Sequence, residues 1–211
     1  TEINFLHTAR AIGSRSPISL VDGTSVFGQF FGQSSLSRMA VVTESSVVKL
    51  DVRPQEMPFL APLGCGYLTG SGTVLNVLKP DPESSIVVIG LGAVGFAALM
   101  AAKSLGLSKI VGVDLLDAKL KIASSIGASD TINTSIQSDL GVALQEILPT
   151  GADCIVDTTG SAALMEISVR SLAHAGTLAL VGVPSPEATL NINALDLLLS
   201  CKRIVGVIEG R

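Results

Sequence analysis

Two short stretches carry residue types that do chemistry. The first, Gly64-Cys65-Gly66-Tyr67-Leu68-Thr69-Gly70-Ser71-Gly72, sets one cysteine among glycines. Glycine admits backbone angles closed to other residues and lets another group come close. The stretch therefore reads as a strained turn beside a ligand. Cys65 reads as a small packed residue, a reactive thiol or one ligand of a metal. The second stretch, Gly90-Leu91-Gly92-Ala93-Val94-Gly95, matches G-x-G-x-x-G. Gly90 suits the tight turn, Gly92 the close approach of a pyrophosphate, and Gly95 the packing of a helix on a strand. Free amides and the positive end of the helix dipole then hold the phosphates. The competing reading is a glycine turn that only packs well. Asp114 follows at the spacing of about 20 residues expected of a ribose-binding acid. Its carboxylate accepts from both ribose hydroxyls and repels a 2′-phosphate, and Leu115 offers no positive charge, so NAD is favoured over NADP. Asp114 could also cap the next helix. Lys119 reads equally as a group reaching the adenosine ribose or as a solvated surface lysine. A methyltransferase sets a glycine loop and an acid in similar places, but the third glycine and the strand–helix alternation favour a dinucleotide.

These residues need elements to position them. From Ser84 onward, strands and helices alternate. The runs "SSIVVIG", "KIVGVD", "TIN", "CIVDTTG", "TLALVGV" and "RIVGVI" predict six strands. Between them "AVGFAALMAAKSLG", "LDAKLKIASSIG", "SDLGVALQEIL", "SAALMEISVRSLAHAG" and "ALDLLLSC" predict helices, three of them closed by Gly106, Gly127 and Gly176. Near-continuous Val/Ile/Leu runs mark strands buried on both faces, as in parallel sheets. The expected fold class is α/β, a doubly wound parallel sheet of the Rossmann type. Upstream, "DGTSVFGQFF" and "SRMAVVTESSVVKL" predict short antiparallel strands. A proline-rich connector follows, with one small helix between Pro54 and Pro62 and a glycine-rich helix from Cys65 to Lys79. The expected domains are a β-rich 1–62 and a cofactor domain 63–211.

Composition narrows the partners. Of 211 residues, 47% are apolar and 15% charged, with a formal net charge of −4. A large core can be buried, while nucleic acid and anionic membranes, which want basic patches, are disfavoured. No apolar run reaches the ~20 residues of a membrane span. Cys65, Cys154 and Cys201 form no C-x-x-C pair, and an odd count suits reduced thiols in a cytoplasmic protein.

"GCGYLTGSG", "VVIGLGAVG", "IVGVD", "VDTTG" and "LVGVP" occur in an order and spacing similar to zinc-dependent alcohol dehydrogenases of the medium-chain dehydrogenase/reductase family. "DGTSVFGQFFGQSSLSRMAVV" and "GVIEG" resemble its aryl (benzyl) alcohol branch. The resemblance implies that residues 1–62 are the remnant of an antiparallel, GroES-like catalytic domain. It implies that Cys65 is one of three protein ligands of a catalytic zinc and that Thr69 contacts the nicotinamide. Val94 packs on the nicotinamide ring. Val181, Gly182 and Val183 bind the carboxamide through backbone groups, and Thr158 and Thr159 line the cofactor groove. The strand Ile204–Ile208 becomes the edge that joins two subunits, consistent with the need to cover an exposed apolar edge.

The family's other zinc ligands lie upstream of G-C-G and have no counterpart here. The sequence is expected to begin just after the structural zinc lobe and to end before the return to the catalytic domain. Cys154 and Cys201 read as structural. His7 lies in an unpatterned segment, and His174 at a helix end, where an imidazole helps the dipole. Two functions follow. One is an oxidoreductase moving a hydride between a primary alcohol, aromatic by the branch resemblance, and NAD, with an alcohol or aldehyde as its small-molecule partner. The other is a non-catalytic module that binds NAD or dimerises.

Overall fold

The computed structural model describes residues 19–24, 44 and 47–211. The chain divides into two compact units, Thr1–Pro54 and Gln55–Arg211. In the first, the described residues include a turn in which Gly23 donates to the Leu20 carbonyl and Thr24 to the Asp22 carboxylate. Of the strands expected over 22–31 and 37–50, only residues 22–24, 44 and 47–50 are described, and neither 22–24 nor 47–50 forms a strand.

The second unit opens with the short helix expected between the prolines. Helix α1, Met57–Leu60, runs into a 3-10 turn, Ala61–Gly64. Helix α2, Gly66–Gly72, continues as a π-helix through Leu78 and closes on Lys79 in the left-handed conformation. A parallel sheet follows, made of β1 Ser85–Ile89, β2 Lys109–Asp114, β3 Asp130–Asn133, β4 Ala152–Asp157, β5 Leu172–Leu180 and β6 Arg203–Gly206. Its order is β3-β2-β1-β4-β5-β6. The helices α3 Ala93–Ser104, α4 Asp117–Ile126, α5 Leu140–Ile147, α6 Ala162–Arg170 and α7 Ala194–Leu199 lie between the strands in sequence.

Strand β1 shows why its sequence does not alternate. Ile86 and Val88 join a core with Ala98, Leu99 and Ala102 of α3 and Leu120 and Ala123 of α4. Val87 and Ile89 join a second core with Leu140, Ala143 and Leu144 of α5 and Val169 of α6. Both faces are covered, so every position is apolar. Each such side chain contributes about 1.5–3 kcal/mol by leaving water. The strand order reverses between β1 and β4, and ligands of open parallel sheets bind at that point, beyond the carboxyl ends of the strands.

Three local expectations are corrected. The helix expected to reach Gly176 ends at Arg170, and β5 starts at Leu172, which is buried and pairs with Ala152. "SLAHAG" also fits a helix, but pairing against β4 decides its state, as context does for strands. A register irregularity between Ala152 and Cys154 absorbs the extra residues. His174 is therefore exposed on a strand and cannot serve a helix dipole. The edge strand expected over 204–208 spans only Arg203–Gly206. Beyond it Ile208 and Arg211 close a turn on each other, with Gly210 buried between. That turn is anchored, because a Cβ on Gly210 would lie 2.8 Å from the Gly72 Cα, and Asn76 donates to the Gly210 carbonyl. Finally, Cys201 is exposed, with φ of 52°, rather than packed.

Candidate cofactor crevice and metal corner

The carboxyl ends of β1, β2, β4 and β5 bring together four segments: Gly90–Gly92, Asp114–Leu116, Thr158–Gly160 and Val181–Val183. Each glycine of the first has a different physical reason. Gly90 has φ of 89°, and a Cβ there would sit 2.4 Å from the Thr158 hydroxyl. A Cβ on Gly95 would lie 1.9 Å from the Gly90 carbonyl oxygen, so α3 can meet β1 only through glycine. Gly92 differs from both. Its φ of −86° and ψ of −165° are open to any residue, and a Cβ there would meet no atom within 4 Å. The fold itself does not require glycine at 92. The space over it is open.

Gly92 is also the N-cap of α3, whose start carries no side-chain cap. An uncapped helix start directs free amides and the positive dipole end outward, which suits an anion. Gly92 and Ala93 are exposed and Val94 half-buried at this turn. Leu91 is wholly buried, and its amide is taken, donating to the Asp114 carboxylate at 2.8 Å. The Leu91 side chain packs in the core, so among these residues it supports the turn from beneath.

Asp114 ends β2 and gathers three donors. Besides Leu91, the Leu116 amide donates at 3.1 Å and the Lys119 ammonium at 3.2 Å. Burial raises the Asp114 pKa, but the two amides and Lys119 outweigh it and hold the carboxyl below its ordinary value. The carboxylate is thus charged at neutral pH and tied to the phosphate turn. Lys119, read from sequence as a ribose contact or a solvated lysine, pairs with the Asp114 carboxylate at 3.2 Å.

The β4 and β5 ends close the crevice. Thr158 donates its hydroxyl to the Gly90 carbonyl at 2.8 Å and its amide to the Ile89 carbonyl at 2.9 Å. Val181 and Gly182 both donate to the Asp157 carbonyl. Thr159 and Val183 are exposed. Asp157 itself is fully buried and was not singled out in the sequence. Its signal was present in "DTTG", because an Asp followed by small polar residues and glycine marks a turn in which the carboxylate accepts nearby amides.

The corner around Cys65 is built differently. The Cys65 amide donates to the Pro62 carbonyl, and its carbonyl opens α2 by accepting from Thr69. None of its neighbouring glycines is among the positive-φ residues, which corrects the strained turn expected from the sequence. Gly66 and Gly70 serve helix packing. A Cβ on Gly70 would lie 2.0 Å from the Val94 carbonyl oxygen and 2.8 Å from the Ala97 Cβ, and one on Gly66 would touch Ala93. Glycines let α2 lie backbone to backbone on the first turns of α3. Thr69 is buried on α2, beside that contact.

Cys65 is exposed, and among the described residues no group of three or more His, Cys, Asp or Glu could hold a metal ion. A catalytic zinc needs three protein ligands and an open position. The described residues do not fit one. Cys154 is buried on β4, where burial pushes its thiol up to about 11 and makes it a poor ligand or nucleophile. The residues of the crevice, by contrast, fit a dinucleotide: an uncapped helix start, a space at Gly92 and a charged acid at the end of the neighbouring strand.

Comparison with known proteins agrees with this geometry. Residues 93–211 match the family described as zinc-binding dehydrogenase. A probable alcohol dehydrogenase of a Pseudomonas species is 39% identical over 199 residues, covering 92% of this chain and 62% of that protein. The geraniol dehydrogenase of Castellaniella defragrans is 34% identical, covering 89% of this chain and 50% of that protein. The crystal structure of benzyl alcohol dehydrogenase from Acinetobacter calcoaceticus superposes with a TM-score of 0.82 at 39% identity, over 91% of this chain and 53% of that one. The chain thus spans half to about three fifths of the length of these three relatives. Its parallel sheet, its glycine turn and the match over more than half its length make it a member of the zinc-binding dehydrogenase family.

Proposed function

We propose that this chain supplies the cofactor-binding part of an NAD-dependent oxidoreductase of the zinc-type alcohol dehydrogenase family, which moves a hydride between a primary alcohol and NAD. The observation that carries the reading is the empty space over Gly92, at the start of α3 and beside the charged Asp114. NAD, when bound, supplies the hydride-accepting nicotinamide. The amides of Gly92, Ala93 and Val94 face its phosphates, and Asp114 accepts from its ribose hydroxyls while Lys119 holds the carboxylate charged. Thr69 and Val94 border the nicotinamide. Thr158 and Thr159 line the groove, and the backbone of Val181, Gly182 and Val183 meets the carboxamide.

The names of the relatives support an alcohol or aldehyde as the small-molecule substrate. Residues 1–62 are read as the remnant of an antiparallel catalytic domain and 63–211 as the cofactor domain. Strand β6 is the sheet edge, and its apolar Ile204 and Val205 are only half-buried, which supports a homodimer through that edge. No helix among the described residues is long and apolar enough to cross a membrane. The three cysteines are free thiols, which supports a cytoplasmic setting.

Fluorescence titration with NADH and NADPH tests the cofactor assignment. NADH is expected to bind at least about tenfold tighter, a difference of about 1.4 kcal/mol, because Asp114 repels a 2′-phosphate. Equal affinity for the two would overturn the role of Asp114.

A further inference from the structure

The fully buried Asp157 has no part in the assignments above, although it lies at the switch point of the sheet. It ends β4, with β1 on one side and β5 on the other. Its Oδ1 accepts the Thr159 amide at 3.0 Å and the Gly160 amide at 3.1 Å. The Thr159 hydroxyl lies 3.1 Å from both carboxylate oxygens. Its carbonyl accepts the amides of Val181 and Gly182 at 2.9 and 3.0 Å. One residue therefore holds the turn 158–160 and the start of 181–183 together.

The fit around it is tight on both sides. Toward β1, Thr158 bonds to the Gly90 carbonyl, and a Cβ on Gly90 would meet Thr158 and Thr159. Toward β5, a Cβ on Gly182 would lie 2.2 Å from the Gly160 amide nitrogen. A Cβ on Gly160, where φ is 73°, would lie 2.4 Å from the Val183 carbonyl oxygen. The turn is wedged between the phosphate loop and 181–183, with no slack to be held by packing alone. Burying a carboxylate is costly, and here burial pushes its pKa up against the amides of Gly160 and Thr159. An apolar residue would fill the core position at less cost but could not hold three donors.

We infer that Asp157 is a positioning residue for the nicotinamide half of the cofactor: its carboxylate sets the shape of the turn 158–160, and through it the placing of 181–183 against the Gly90 turn. The inference rests on the NAD reading. Asp114 stands at the end of β2, on the far side of β1 from β4, so the adenosine half is served by a different part of the crevice.

The two halves allow a selective test. Asp157→Ala is expected to weaken NADH binding at least about tenfold while leaving the affinity for AMP, which lacks the nicotinamide half, within about threefold. Asp157→Asn keeps one acceptor oxygen for the two amides, and the Thr159 hydroxyl can turn to accept from its amide. It is expected to bring NADH affinity back to within about threefold of the wild type. Should the alanine variant fail to fold, Gly160→Ala displaces the same turn from the opposite side and is expected to give the same selective loss. An equal loss for NADH and AMP, an undiminished affinity for NADH, or an asparagine variant as weak as alanine would each overturn the assignment. A wild-type chain that bound AMP but not NADH would overturn the NAD reading itself.

Discussion

Helices α2 and α3 both begin in glycine-rich stretches and lie against each other, yet their glycines answer to different demands. In "GCGYLTGSG" three of the four glycines are used by the protein, while Gly64 meets nothing within 4 Å. Gly66 meets the Ala93 side chain, Gly70 the Val94 carbonyl and Gly72 the Gly210 backbone. In "GLGAVG", Gly90 and Gly95 are likewise filled, but the space over Gly92 is not. The cysteine of the first stretch stands exposed without a ligand group among the described residues. The acid paired with the second is charged, three-fold bonded and tied to the turn. Open space alone does not set Gly92 apart from Gly64; the uncapped helix start and the charged Asp114 beside it do.

The largest effect that sharpens this contrast belongs to Gly95. Gly95→Ala drives a Cβ to 1.9 Å from the Gly90 carbonyl, so α3 must withdraw from β1. Overpacking of this kind costs about 3 kcal/mol. Thermal unfolding should show the loss, and NADH binding should fall with it. A variant as stable as the wild type would mean that the turn yields easily.

Gly92→Ala is the complementary case. The added methyl meets nothing in the protein and its φ is ordinary, so stability should stay within about 0.5 kcal/mol. NADH affinity should fall about tenfold, about 1.4 kcal/mol, as the methyl stands where the pyrophosphate approaches. Unchanged affinity in the titration would leave the space over Gly92 without a function.

A smaller effect concerns acid. The Asp114 pKa is lowered by the fold, so its contribution is present above the ordinary carboxyl value of 3.8 and is lost as pH falls below that toward the folded value. The Asp157 pKa is raised, so the same fall in pH, from the folded value down to 3.8, favours the folded state. Urea midpoints across pH 3–6 should therefore fall less steeply below pH 4 for Asp114→Asn than for the wild type. Parallel curves would mean that the network around Asp114 adds nothing. The least effect is expected of Cys65→Ser, which should move neither the melting curve nor NADH affinity, with stability held within about 0.5 kcal/mol.

Much of this was legible in the sequence because the evidence was local. The runs around Ile86–Ile89 and Ile110–Val113 announce strands buried on both faces, and the glycine turn sits where a strand gives way to a helix. Other features were set by distant pairing. The length of β5 depends on Ala152, and the end of β6 on a turn anchored to Gly72 and Asn76. The glycines beside Cys65 misled for the same reason, since only the approach of α3 shows which gaps they leave closed. Asp157 ends an apolar strand, and the residues after it signal a turn, but only the folded chain shows its burial and its donors.

The contrast between crevice and corner is tested most directly by calorimetric titration of the chain with NADH, once as purified and once after exhaustive treatment with a zinc chelator. If the crevice is complete in itself, the two titrations give one binding site per chain and the same affinity. Binding that disappears with the metal, or no saturable binding in either, would contradict the account.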